Sequence, residues 1–240
     1  MAQNFQGGDA GHLPNVRGGA PADPEGLPRQ RRGTTPQMHG RYPDWDVLSQ
    51  IDHWDEVTRK VVLDRVENVP PFRFFNEDEQ RTLKSFCDAV MAQDREPRIP
   101  VLSMVDAKLH AGKLDGFQFA GMPDDRDVWR IVARRLDEEA AAAGAHDFAG
   151  LSHEGQRQIV DRFAKGNLEW EGLDVSKAWS VVTRAILSAF YSHPWAWNEI
   201  GFGGPAYPRG YAALGGREPW EPQPASELDP VKDTKERGLD

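Results

Sequence analysis

Asp174-Val175-Ser176-Lys177-Ala178-Trp179-Ser180-Val181-Val182-Thr183-Arg184-Ala185-Ile186-Leu187-Ser188-Ala189-Phe190-Tyr191 is the stretch on which the reading of this 240-residue chain turns. Ala178, Trp179, Val182, Ile186 and Phe190 recur at steps of three and four, which lines one face of an α-helix. Asp174 stands where a helix start wants a side-chain acceptor. The run from Ala178 to Tyr191 is interrupted by Arg184 and is too short for the roughly 20 residues that a bilayer core requires. It reads as the longest helix of a globular domain, and no transmembrane helix is expected.

The same period runs upstream. Leu48, Ile51, Trp54, Val57, Val61 and Val62 predict one amphipathic helix from about Trp45 to Val66, stopping before Pro70-Pro71. Asn76 caps a second helix, with Glu79 three residues on as the returning arm of a capping box and Leu83, Phe86, Cys87 and Val90 as its buried stripe. Pro100 opens a third through Met104, Val105 and Leu109 to Gly112. A fourth starts near Pro123, with Asp124, Asp125 and Asp127 at the positive end of its dipole, and buries Trp129, Val132 and Leu136. Ser152 caps a fifth carrying Ile159, Val160 and Phe163. Six helices without an alternating strand predict an all-α fold, one compact helical domain over residues 44–211.

Residues 1–43 are rich in Gly, Pro, Gln and Asn and cannot bury enough surface to offset their ordering entropy, so they read as a disordered or partner-wrapping arm. Residues 212–240 form a Pro-rich, charged tail in which Trp220 is a lone aromatic anchor. Downstream of the decisive helix, His193 to Tyr211 packs five aromatics, four glycines and three prolines into nineteen residues. Rings supply rigid contact area, Gly admits a close backbone and Pro holds an irregular path, which together describe a recognition loop. The competing reading is a helix exit whose rings close the domain's own core.

Charge and motifs remove other function classes. A net charge of −9 disfavours a phosphate-tracking nucleic-acid binder. Cys87 sits among apolar positions and has no partner cysteine in the chain. Gly201-Phe202-Gly203-Gly204-Pro205 neither follows a strand nor opens a helix, so it is no dinucleotide fingerprint. His153-Glu154 lacks the second histidine of a zinc-protease helix, and no inward Glu-x-x-His pair suggests a di-metal bundle. A catalytic histidine at 193 has no visible local partner. Arg29, Arg31 and Arg32 are followed by polar residues rather than an apolar export segment, so the default expectation is a cytoplasmic protein.

Phe75-Asn76-Glu77-Asp78-Glu79-Gln80-Arg81-Thr82-Leu83, with Asp88-Ala89-Val90-Met91 and Asp94, resembles the opening of the gluconate 2-dehydrogenase subunit 3 family. Phe190-Tyr191-Ser192-His193-Pro194, Trp197, Gly201, Gly204-Pro205 and Gly210-Tyr211 resemble its closing signature. The resemblance implies a non-catalytic small subunit of a heteromeric dehydrogenase acting on a sugar, glycoside or sugar acid. Its partner would be a large flavoprotein of the glucose-methanol-choline type holding the FAD, often beside a cytochrome c or other electron-transfer subunit, with no cofactor or metal in this chain. His193, Pro194, Trp195, Trp197, Asn198, Phe202, Gly203, Gly204, Pro205, Tyr207, Arg209, Tyr211 and Trp220 are then the candidate partner-facing residues.

Two departures matter. Ala92 stands where the family usually has a proline, and no twin-arginine signal is readable, which favours a cytoplasmic complex or one exported on another subunit to the periplasm. A stand-alone helical enzyme using a metal, His193 or His153, and a transient maturation chaperone of the flavoprotein, are the competing readings.

Overall fold

The computed structural model describes residues 46–94, 96–113, 116–200 and 202–205. Among the described residues there are seven α-helices, two 3-10 helices and no strand. The helices are α1 (Glu56–Glu67), α2 (Glu77–Val90), α3 (Val101–His110), α4 (Asp125–Ala142), α5 (His153–Ala164), α6 (Val175–Tyr191) and α7 (Pro194–Ile200). The all-α expectation therefore holds, with α7 as an addition.

The caps explain where most of these helices begin. Asn76 accepts from the Glu79 amide while the Glu79 carboxylate accepts from the Asn76 amide, closing the expected capping box. Ser152 and Asp174 accept from the third residue of α5 and α6, at Gly155 and Lys177. The expectation that α6 is the longest helix is corrected by one residue, since α4 spans 18 residues and α6 spans 17.

The single helix expected from Trp45 to Val66 is also corrected. A 3-10 helix at Val47–His53 precedes α1, because Asp55 takes an extended conformation and accepts from the Thr58 amide, which starts a new helix. The break rotates the two halves, so Val47, Trp54 and Val62 point inward whereas Val57 and Val61 are exposed.

The main core is built by α2 against α3, α4 and α5, with α6 packed across α3, α4 and α5. Leu83, Phe86, Trp129, Val132, Leu136, Phe163, Val182, Ile186 and Phe190 are all buried. Phe86 meets Phe148, Phe163 and Trp179 with ring centroids 6.2, 6.0 and 6.4 Å away, within the spacing at which tilted and edge-on rings attract. Burial pushes the Cys87 thiol well above its ordinary range, which makes it an inert core side chain.

A buried carboxylate fixes the entry to this core. Asp106 on α3 is fully buried and accepts from the consecutive amides of Arg73, Phe74 and Phe75 at 2.7 to 3.2 Å. Those amides lie in a segment without helical bonds of its own, so the carboxylate supplies the partners that buried backbone requires. After α2 the chain turns through Ala92 at φ 52°. A proline, locked near φ about −65°, could not take that conformation.

A second, smaller core stands apart from the first. Val47, Trp54, Val62 and Trp197 form it, with Leu48 and Ile51 packed alongside. It joins the 3-10 helix and α1 to α7, and so brackets the segment singled out in the sequence.

Candidate interaction surface around the closing helix

The irregular path expected after Tyr191 is corrected for its first half: Pro194–Ile200 is helical. Proline lacks an amide that the first turn would leave unbonded, and its fixed φ suits that position. The turn is completed by His193, whose Nδ1 accepts from the Trp195 amide at 3.2 Å, while the two rings meet edge-on at 4.9 Å.

His193 is only 1% exposed. Its ring also hydrogen-bonds the backbone of Arg65 on α1. Burial, reinforced by the Arg65 charge, pushes the His193 pKa down to about 4, against the opposing pull of that backbone hydrogen bond. The ring is therefore a neutral pin between α1 and α7. Arg65 returns the connection, donating from Nη1 to the Ser192 carbonyl at 2.8 Å and lying 5.8 Å from the Trp197 ring centre.

Trp197 and Asn198 complete the attachment. The Trp197 indole donates to the Tyr191 carbonyl at 2.7 Å. Asn198 accepts from the Val47 amide at 2.8 Å and donates to the Asp46 carboxylate at 3.3 Å. Beyond α7, the Phe202 amide donates to the Trp197 carbonyl at 2.9 Å, which closes the last turn of the helix. The Phe202 ring stands edge-on to the Trp197 indole at 5.4 Å. Gly204 has φ 89°, and a Cβ there would lie 2.8 Å from Val47 and 2.9 Å from Trp54, so only glycine fits.

The candidate residues thus divide. His193, Pro194, Trp197 and Asn198 are buried within the chain, and Trp195, Gly203, Gly204 and Pro205 are half-buried. Phe202 is 41% exposed. Tyr207, Arg209, Tyr211 and Trp220, like the 1–43 arm and the 212–240 tail, lie outside the described residues. The two histidines of the enzyme reading are far from equivalent, since His153 is exposed at the start of α5 and His193 is held by backbone groups. Among the described residues no three His, Cys, Asp or Glu side chains gather where they could hold a metal ion.

Sequence reasoning missed the other wall of this surface. Val57, Val61 and Arg65 follow one another at four-residue steps along α1 and, with Trp197, Phe202 and Pro205, line an apolar groove of about 360 Å³. Recognising Asp55 as an N-cap would have turned the two valines outward and revealed them.

No described helix is long and apolar enough to cross a membrane. Among curated proteins and among solved structures, nothing matches the chain significantly. The family model for gluconate 2-dehydrogenase subunit 3 matches residues 77–204, from the first residue of α2 through α7 to the glycine pressed against Val47 and Trp54. With more than half of its length in that match, the chain belongs to the gluconate 2-dehydrogenase subunit 3 family.

Proposed function

We propose that this chain is the small accessory subunit of an FAD-dependent dehydrogenase complex that oxidises a sugar, glycoside or sugar acid, and that it supports the assembly and stability of a large flavoprotein subunit of the glucose-methanol-choline type. The observation that carries this reading is the family match, which covers the helical core and the closing segment together. The flavin belongs to the large subunit in this reading, and a cytochrome c or similar subunit receives the electrons.

The surface described above supports an interaction role over a catalytic one. His193 has its ring committed to backbone hydrogen bonds and is too deeply buried to meet a substrate. Phe202, by contrast, offers a ring to the outside while its backbone is fixed to Trp197. Rigidly held aromatic rings of this kind are common anchors at interfaces.

Affinity purification of the tagged chain at native expression is the test. The expected result is a large subunit in stoichiometric amount, carrying flavin absorbance and sugar-oxidising activity that the isolated chain lacks. Recovery of a partner-free monomer would overturn the reading. Absence of the chain from the mature, active complex would instead make it a transient maturation factor.

A further inference from the structure

The groove between α1 and the segment after α7 has no occupant within the described chain. Val57 is 70% exposed and Val61 is 47% exposed, although both are aliphatic residues on an ordered helix. Phe202, also exposed, faces them across the groove with Pro205. At about 360 Å³ the space lies at the lower end of the roughly 300–1,000 Å³ usual for binding clefts.

Its electrostatics restrict the occupant. Among the described residues, Arg65 is the one charged residue in the lining, in a chain of net charge −9. Its guanidinium has the Ser192 carbonyl and the Trp197 face as neighbours, and no carboxylate among the described residues pairs with it. Partial burial already lowers its pKa, so an incoming carboxylate would meet an incompletely solvated cation. A guanidinium has five N–H donors, which leaves several for such a carboxylate. A second copy of this surface, as far as it is described, brings no acid of its own to Arg65, because the described lining residues include none.

We propose that this groove receives a segment of the large dehydrogenase subunit that presents an aliphatic or aromatic side chain beside a carboxylate. The apolar group seats between Val57, Val61 and Phe202, and the carboxylate pairs with Arg65. The proposal rests on the accessory-subunit reading and extends it to α1, which lies before the first family-matched residue, 77. The chain would thus add its own anchoring surface to the matched helical core.

The test uses the full-length chain and the flavin-bearing large subunit that it recovers. The double variant Val57→Glu/Val61→Glu should reduce recovery of that subunit at least tenfold while leaving the melting temperature of the isolated chain unchanged. Val69→Glu, at another exposed valine outside the groove, should retain normal recovery. Normal recovery with the double variant overturns the groove assignment and leaves the accessory-subunit reading intact. If the unmodified chain recovers no large subunit, that reading fails and the groove proposal falls with it.

A thiol probe separates the remaining occupants. Cys87 is buried, so Val61→Cys introduces a distinctive accessible thiol among the described residues. It should react with a maleimide in the isolated full-length chain and be shielded in the complex. Shielding in the isolated chain would mean that another part of the chain, or a second copy, already fills the groove, and would overturn the proposal.

Discussion

His193 shows how one residue can make this surface sensitive to acid. Its folded pKa is depressed to about 4 from an ordinary 6.5, so between those values the unfolded chain binds the proton that the folded chain refuses. The stabilising contribution is complete above about pH 6.5 and is lost as pH falls towards 4. His193→Gln is expected to lower stability at neutral pH but to flatten this part of the acid limb, as measured by denaturant unfolding across the range. Asp106→Ala, which strands three amides, should cost about 3 kcal/mol or more in the same assay. Trp197→Ala should cost about 3–5 kcal/mol, because that ring is buried in the small core. Thermal or denaturant unfolding of the isolated chain separates this core effect from any loss of partner affinity. The apolar stripes that bury Phe86 and Phe190 were legible in the sequence because their spacing is local. Asp106 was not, since the amides it bonds lie 31 to 33 positions away.

Among the elements, local caps explain the successes and the failures alike. Asn76, Ser152 and Asp174 fix helix starts through bonds to residues three positions on, which a linear reading can find. Asp55 does the same, yet the surrounding apolar residues continue at helical spacing and concealed the break. The aromatic segment after α6 was legible as unusual, but its conversion into α7 depends on His193 capping Trp195 and on Asn198 holding Val47. Its seat against the 3-10 helix depends on Gly204. Gly204→Ala is expected to destabilise the chain by about 2 kcal/mol, because the new methyl enters space filled by Val47 and Trp54 and the backbone has a positive φ. Hydrogen exchange should rise first in the 3-10 helix and α1. A uniform rise throughout α2 to α6 would contradict that local role.

In the whole molecule, the large core of α2 to α6 and the small core around Trp197 are separate hydrophobic clusters. Fewer buried side chains hold the second, so residues 46–67 should open below the free energy of global unfolding, a difference that native-state hydrogen exchange can measure. The all-α architecture was legible because each helix of the large core carries its own apolar stripe. The small core was illegible because it joins residues about 150 positions apart, as the Val47 to Asn198 bond does. That bond also has a mechanical meaning. Asp46 and Val47 meet Gly204, far from them in sequence, on the same small cluster. Tension applied between Asp46 and Gly204 would load this cluster before reaching the helical bundle. It would act as a fuse, yielding first and leaving the larger core intact.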